Sequence, residues 1–526
     1  MGRFGVPVTG DRTIIQNSRG PLRDGLATKD GMPVLPNGFQ AAILLVVVAL
    51  AVRYQISMLN YGFWQDEFET MVASKMMGAG LRLYTDIFNQ HGPLIFAFGS
   101  ALEAITDATI ADYRIVIAVL QWLMIGALLL SSAQMPSPSR LLGLTIVVVL
   151  MVVALPYVFG QMFLYQTVAG LFAAAAIALL VLPVLQGKQD ISTAQAVVGG
   201  LLLCCLPFFA FTYAVASAGL ILCSLTRPTW RAVMAGVALG AILNAAFIIA
   251  RCSTSGFIVE HFYLNLAIYP AFGNNNFAET WLMQRNSFLL AAAIGVVLIL
   301  ATAGRLVLRR RGVRWRAAVF VLALLSLLGR GPGFQGIQFY YALLPLVLAA
   351  TPWVPLTNTA RRCASLGVIF ACLVKLSLLL PSDARRIEVG QIPTRSAFSD
   401  LVKRYTEPSD RIISYSFDNF EYILSQRLPA VADFYFLPQQ AVYNARPMLG
   451  ILSDPCKDIR VSRPKFVKLD KWLAWGRFSW ESYGSCIDSI MQDSYGHVKG
   501  TPIYIRNDLW PSAGRVMLSP QSGIPP

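Results

Sequence analysis

Repeated apolar runs, each long enough to cross a lipid bilayer, leave this chain few folds to choose from. A hydrocarbon core of roughly 30 Å takes about 20 apolar residues in helical form. Inside it every backbone amide must be satisfied within the segment itself. Runs of this kind occupy 40–59, 110–131, 141–156, 162–185, 232–250, 287–303 and 364–380, with shorter ones at 317–328 and 337–350. The stretch 193–226 is too long for one crossing and contains Pro207, so it reads as two short helices meeting near 208–213. Seven long runs, two shorter ones and these two halves predict eleven crossings. With 56% hydrophobic and 13% charged residues among 526, and a mean hydropathy of +0.56, a water-soluble globule could not enclose so much apolar surface. The expected class is a mainly α polytopic membrane protein.

Loop charge supplies an independent test, because Lys and Arg accumulate on the cytoplasmic side. The segment 1–38 is rich in Gly, Pro and Arg without an apolar period, so it reads as a cytoplasmic disordered tail. No small-residue cleavage site follows the first run, which is expected to stay as an anchor. The tail carries Arg3, Arg12, Arg19, Arg23 and Lys29. Every second loop after it is basic: Arg140, then Lys188, then Arg227 and Arg231, then a cluster from Arg305 to Arg316, then Arg361 and Arg362. An inside amino terminus with eleven crossings places 382–526 outside, and the orientation bias accounts for most of the formal +15 without nucleic-acid binding. The expected organisation is the tail 1–38, a membrane domain 39–381 with long outer loops at 60–110 and 251–286, and an extracytoplasmic α/β domain 382–526.

In the first outer loop Phe68, Met71, Val72, Lys75, Met76 and Ala79 keep helical spacing, and 93–102 is a short apolar segment of the re-entrant or interfacial kind. Strand-like runs at 411–417, 465–469 and 501–506, with a short helical pattern at 419–425, give the outer domain its α/β character. Cys456 and Cys486 fall in that domain. A disulfide and two free thiols are both open to them.

Directly after the first apolar run stands Asp66-Glu67, two carboxylates at a membrane surface. Either they cap the next helix at the positive end of its dipole, or Asp66 serves as a general base with Glu67 orienting it or an acceptor. The order Trp64-Gln-Asp66-Glu67, Gly80-Leu-Arg-Leu-Tyr84-Thr-Asp86 and His91-Gly-Pro93-Leu94 resembles the GT-C membrane glycosyltransferases, in the branch of the protein O-mannosyltransferases and the lipid A aminoarabinose transferase. Arg114, Phe339-Tyr340-Tyr341 and Leu344-Pro345 extend the resemblance more loosely. Asn89-Gln90 stands where that family often has a charged residue, and Thr212-Tyr213 where it often has Lys.

The resemblance implies a GT-C fold and transfer of one sugar, with inversion, from a polyprenyl-phosphate donor to a lipid, glycan or protein acceptor on the outer membrane face. It implies Asp66 as the base. Leaving-phosphate candidates are Arg330 in Gly329-Arg-Gly-Pro-Gly333, Arg82 and Arg285, since guanidinium binds phosphate oxygens bidentately; Tyr84 joins them as a donor-binding candidate. Some relatives bind a divalent ion between the outer loops, for which His91, His261, Asp86 and Glu260 are the candidate ligands here. Phe257, Phe262, Tyr263, Tyr269 and Phe272 could line a prenyl tunnel, stack on a sugar, or form the aromatic belt of a membrane interface. A bacterial inner membrane is expected, with no Lys-Asp-Glu-Leu retrieval signal at the terminus. The alternatives are a polyprenyl-linked glycan transporter or flippase, which would want internal repeats and midplane charges beyond Lys375, and a noncatalytic membrane scaffold.

Overall fold

The computed structural model describes residues 37–62, 65–135, 137–188, 191–272, 286–353, 392–416 and 419–510, with scattered positions between 360 and 374. The chain divides at Ala42 into a short first unit, described only as the helical opening from Asn37, and a second unit, Ile43–Pro526, that carries the whole architecture below the first turns of that helix.

Among the described residues, five helices are long and apolar enough to cross a membrane: Ile110–Ser131, Ser139–Val158, Tyr165–Gln186, Trp230–Arg251 and Asn286–Arg309. Shorter apolar helices are Leu44–Met58, Thr193–Phe208, Phe211–Ser224 and Ile337–Trp353, and Arg314–Ser326 adds 13 residues. Ten of the eleven runs expected to cross thus appear as helices among the described residues, five of them full-length. Four of the short ones have local causes. Pro207 breaks 193–226 into two halves, joined through the turns Leu206–Phe208 and Phe211–Tyr213, and a glycine-rich turn separates Arg314–Ser326 from Ile337–Ala350. The run 364–380 lies largely outside the described residues.

Tyr165–Gln186 is the central helix, with 89% of its apolar window buried, whereas only 28% is buried in Ile110–Ser131, Trp230–Arg251 and Asn286–Arg309. Their outward faces carry Leu123, Ile242 and Val297 at 65%, 64% and 65% exposure. Apolar faces of this length and exposure belong in lipid, which makes the chain an integral membrane protein. Helices Thr193–Cys205 and Trp230–Arg251 cross so closely that a Cβ on Gly200 would lie 2.3 Å from Val233 O and one on Gly236 2.0 Å from Val197 O. Small residues are what permit such an approach where no hydrophobic force drives helices together.

Cations from successive basic loops meet at one end of the bundle. Arg140 Nη2 donates to Leu129 O at 2.9 Å, Lys188 Nζ to Ser131 O at 3.2 Å, Arg310 Nη2 to Gly187 O at 3.1 Å and Arg316 Nη2 to Leu225 O at 3.0 Å. Each sits where a helix C-terminus or the turn after it leaves carbonyls without partners, the negative end of the dipole.

The opposite end is built from the three long segments. The first holds helices Gln65–Gly78 and Pro93–Glu103. The second is more ordered than a loop, a wide-turned π-helix over Phe257–Ile268. The third contributes a four-stranded sheet of β1 (Ile413–Tyr415), β2 (Phe466–Leu469), β3 (Tyr495–His497) and β4 (Ile503–Arg506) in the order β1-β2-β4-β3. β1 and β2 run parallel with Ile413 opposite Val467; β4 pairs antiparallel with both neighbours, Tyr504 opposite Val467 and His497. β3 has no alternating apolar pattern and so carries no signal in the sequence. Cys456 and Cys486 are disulfide-bonded, with Cα atoms 6.2 Å apart, and tie helix Pro455–Ser462 to Ser485–Ser494.

The sheet-bearing region lies directly on the first segment. Phe420 packs edge-on to Phe68 at 5.7 Å, Phe88 N donates to Ala432 O, and Tyr435 Oη donates to Gln90 Oε1 at 2.6 Å. One apolar cluster runs without interruption from Phe68 and Tyr113 in the membrane part to Phe398, Tyr422 and Ile505.

Candidate active site

Asp66 and Glu67 occupy the first turn of Gln65–Gly78, and one helical step sends them in different directions. Glu67 is fully enclosed. Its Oε1 accepts from Arg114 Nε at 2.9 Å and Phe163 N at 2.8 Å, and its Oε2 from Arg114 Nη2 at 2.5 Å. Arg114 spends its remaining N–H groups on Leu59 O, Tyr61 O and Gly62 O. This clamp fixes the chain between the first apolar helix and Gln65–Gly78. Among the described residues both Glu67 oxygens are thus engaged, and they hold the turn that carries Asp66.

Asp66 faces a cavity of about 410 Å³, shared with Glu69, Arg330, Tyr435, Gln439 and three tryptophans, Trp472, Trp475 and Trp480. A second cavity of about 730 Å³ adjoins it, with Gln90, His91, Tyr269, Arg330, Gln335 and Trp475 common to both walls. Arg330 therefore stands at the junction. It opens onto cavity space and its Nη1 donates to Tyr165 Oη. The turn that presents it is set by Gly331 N on Leu328 O at 2.8 Å, by Gly331 at φ +101°, and by Tyr340 Oη on Pro332 O. The field of the Tyr165 phenolic oxygen outweighs desolvation and pushes the Arg330 guanidinium up, with Asp66 adding in the same sense, so Arg330 is a fixed positive charge.

Segment Asn89–Gly92 forms the rim where the cavities meet, and it is held from every side. Asn89 N donates to Glu260 Oε2 at 2.7 Å, Asn89 Nδ2 to Glu69 Oε1 at 2.9 Å, Tyr84 Oη to His91 O at 2.6 Å, and Asn265 Nδ2 to Gln90 O at 2.8 Å. Gly92 N donates to Phe209 O, and a Cβ at Gly92 would lie 2.2 Å from Phe208 O. Only glycine fits against the Pro207 break. The His91 ring lies on Tyr165 with centroids 4.6 Å apart, and its Nε2 is 3.5 Å from Glu69 Oε1.

The other expected site residues divide. Tyr84 is fully buried at φ +65°, its hydroxyl committed to His91 O, so it shapes the rim without lining either cavity. Arg82 points away, with Nη2 on Cys252 O at 2.7 Å and Ile249 O at 3.4 Å. Arg285 lies outside the described residues. His91 and His261 both line the larger cavity, but the carboxylates do not join them: Asp86 Oδ2 accepts from Arg82 N at 2.8 Å and Glu260 Oε2 from Asn89 N. Burial pushes the Glu260 carboxyl well up and the His261 imidazole down to about 4. His261 stacks on Phe257 at 5.1 Å. Among the described residues no three His, Cys, Asp or Glu side chains gather as a metal site. The residues present do not fit a bound divalent ion of the expected ligand set.

Several cavity residues carry no sequence signal of their own. Glu69 is the exception, since its i,i+3 spacing from Asp66 puts both carboxylates on one helix face. Tyr165, Gln335, Tyr435 and the tryptophans come from distant parts of the chain and are assembled only by the fold.

The chain matches no family model and no curated protein. Solved structures similar to it include ArnT from Cupriavidus metallidurans bound to undecaprenyl phosphate, at 12% identity over 89% of this chain and 98% of that one, with a TM-score of 0.48. The same protein in the apo state matches at 13% identity over 74% and 85%, TM-score 0.47. The archaeal oligosaccharyltransferase AglB from Archaeoglobus fulgidus, in complex with an inhibitory peptide and a dolichol-phosphate, matches at 11% over 87% and 72%, TM-score 0.45.

Proposed function

We propose that this chain is a GT-C membrane glycosyltransferase that moves one sugar from a polyprenyl-phosphate donor to a lipid, glycan or protein acceptor. The observation that carries this reading is the placement of Asp66 and Arg330 on one cavity, a carboxylate and a permanent cation facing a space walled by tryptophans. A hexose or pentose offers hydroxyls to carboxylates and amides and C–H faces to indole rings, and its phosphate needs a cation.

In the proposed reaction the acceptor hydroxyl oxygen attacks the anomeric carbon while the bond from that carbon to the phosphate oxygen breaks. The acceptor proton passes to the Asp66 carboxylate, and the bonding electrons leave on the polyprenyl phosphate. Direct displacement inverts the anomeric centre. Arg330 steadies the charge that grows on the leaving phosphate, a preorganised electrostatic effect, and Tyr165 holds Arg330 in place. Glu69 and His91 order the rim. An apolar groove of about 440 Å³ between Asn286–Arg309 and Ile337–Ala350, walled by Phe288, Leu298, Tyr340 and Leu343, suits the prenyl chain. Tyr340 joins that groove to the Arg330 turn through Pro332.

The proposed setting is a bacterial inner membrane, with 1–38 cytoplasmic, 39–381 in the membrane and 382–526 outside. Mass spectrometry of lipids, glycans and proteins from cells making the chain or its Asp66→Asn variant tests the reading. One acceptor class should lose a single hexose or pentose mass in the variant; identical profiles would refute it.

A further inference from the structure

A second built pocket lies at the other end of the bundle, where no part of the proposed reaction takes place. Ile110–Ser131, Tyr165–Gln186, Asn286–Arg309 and Ile337–Ala350 all begin beside the candidate site or its groove and run away from it. A helix of 22 residues covers about 33 Å. At their far ends they enclose about 350 Å³ between Ser131, Gln186, Lys188, Arg305, Arg309 and Trp353, with Leu182, Pro345 and Leu348 lining its bundle side.

Three cations thus converge on one concave space, and no Asp or Glu among the described residues lines it. Among the described residues none of the three makes an ion pair, although Lys188 Nζ is anchored on Ser131 O. Arg305 is the most telling. Its guanidinium lies over the Trp353 ring at 5.0 Å, and its buried Nε has no hydrogen-bond partner among the described residues. A buried guanidinium N–H without a partner is costly unless a ligand satisfies it. Burial also pushes the Lys188 ammonium down, a penalty that a bound anion would offset. A positive-inside bias explains cations at this end. It does not explain why they turn into a pocket whose bundle side is apolar.

We infer that this pocket binds a phosphate-bearing anion through Lys188, Arg305 and Arg309, with the apolar wall able to take the adjoining chain of a lipid. The shared chemistry is phosphate, and its source is either an anionic lipid headgroup or a soluble phosphate. The inference does not depend on the proposed reaction.

The test uses the full-length protein, delipidated in an uncharged detergent. Phosphatidylglycerol, phosphatidylcholine and inorganic phosphate at constant ionic strength are titrated separately, and binding is read by native mass spectrometry and by the shift in melting temperature. Phosphatidylglycerol should bind at least about tenfold more weakly to Lys188→Gln/Arg305→Gln, since each charge-assisted hydrogen bond is worth about a decade or more. Arg305→Lys, which keeps the charge, should lose less. Arg227→Gln/Arg231→Gln, which removes two cations outside the pocket, should bind as the wild type does. If inorganic phosphate gives the same variant-sensitive shift, the phosphate site stands and its ligand is soluble. Equal losses in the pocket and control variants, or no saturable binding by the wild type with any probe, would overturn the inference. Melting temperatures without ligand separate a misfolded variant from one that has lost the site.

Discussion

Removing the Glu67 carboxylate should destabilise the protein by leaving a guanidinium buried without its counter-charge. In the wild type every N–H of Arg114 is used, on Glu67 and on the carbonyls of Leu59, Tyr61 and Gly62, and both side chains are fully enclosed. Breaking one partner of such a buried pair costs about 3–5 kcal/mol. An unfolding entropy of about 2.1 cal/mol/K per residue amounts to about 1.1 kcal/mol/K for a chain of this length, so Glu67→Ala should melt about 3–5 °C lower. Glu67→Gln keeps the acceptor for Phe163 N and should lose less. Replacing both partners by apolar residues should cost less than the two single changes together, because the second removal takes away the unpaired charge left by the first. Thermal unfolding of the purified protein, monitored by tryptophan fluorescence in a fixed detergent, gives all four values. A Glu67→Ala protein that melts with the wild type yet transfers no sugar would refute the argument and return Glu67 to direct action on substrate.

Arg330→Gln should lower kcat by about 100-fold with a smaller change in KM, as expected of a charge whose main work is in the transition state; an unchanged kcat in a donor-saturated transfer assay would exclude that role. Asp433 is buried against Ser453 Oγ at 2.6 Å, and burial pushes its carboxyl up to about 8. Its folded pKa is above its unfolded one, so the folded state retains a proton between about pH 4 and about pH 8. Stability should therefore fall across that window by up to ~1.4 kcal/mol per pH unit and level off above it. Asp433→Asn should flatten the slope of melting temperature against pH, and an unaltered slope would count against the assignment. Cys456 and Cys486 are 30 residues apart, so Cys486→Ser should cost the sheet-bearing region about 3–4 kcal/mol on loop entropy. Limited proteolysis of this region with and without reductant should show it.

Much of the bundle is legible in the chain because lipid imposes a simple rule on length and polarity. The run expected at 110–131 is the helix Ile110–Ser131 itself, and Trp230–Arg251 and Asn286–Arg309 differ from their expected bounds by a few residues. The break at Pro207 falls where a missing amide and a ring clash require it. Run length alone does not distinguish a full crossing from a half that ends at Gly329–Gly333. At the site, Asp66 could be singled out by its place after an apolar run, whereas Glu67 beside it looks identical in sequence and differs only in which way its side chain leaves the helix. Arg114 completes it from 47 residues away. Trp475 and Arg330 meet across the cavities from opposite ends of the later chain, and no local pattern foretells such a meeting. The π-helix over Phe257–Ile268 likewise has a period that neither a helical nor a strand template matches.

The most direct test of the account is the rate at which purified protein in proteoliposomes moves a radiolabelled sugar from a polyprenyl-phosphate donor to acceptors in a membrane extract. Wild type should transfer, and Asp66→Asn should transfer at least about 100-fold more slowly, the usual loss when a positioned base is removed, with its melting temperature and its retention of the donor unchanged. Transfer by Asp66→Asn at the wild-type rate, or no transfer by the wild type while the donor is retained, would contradict it.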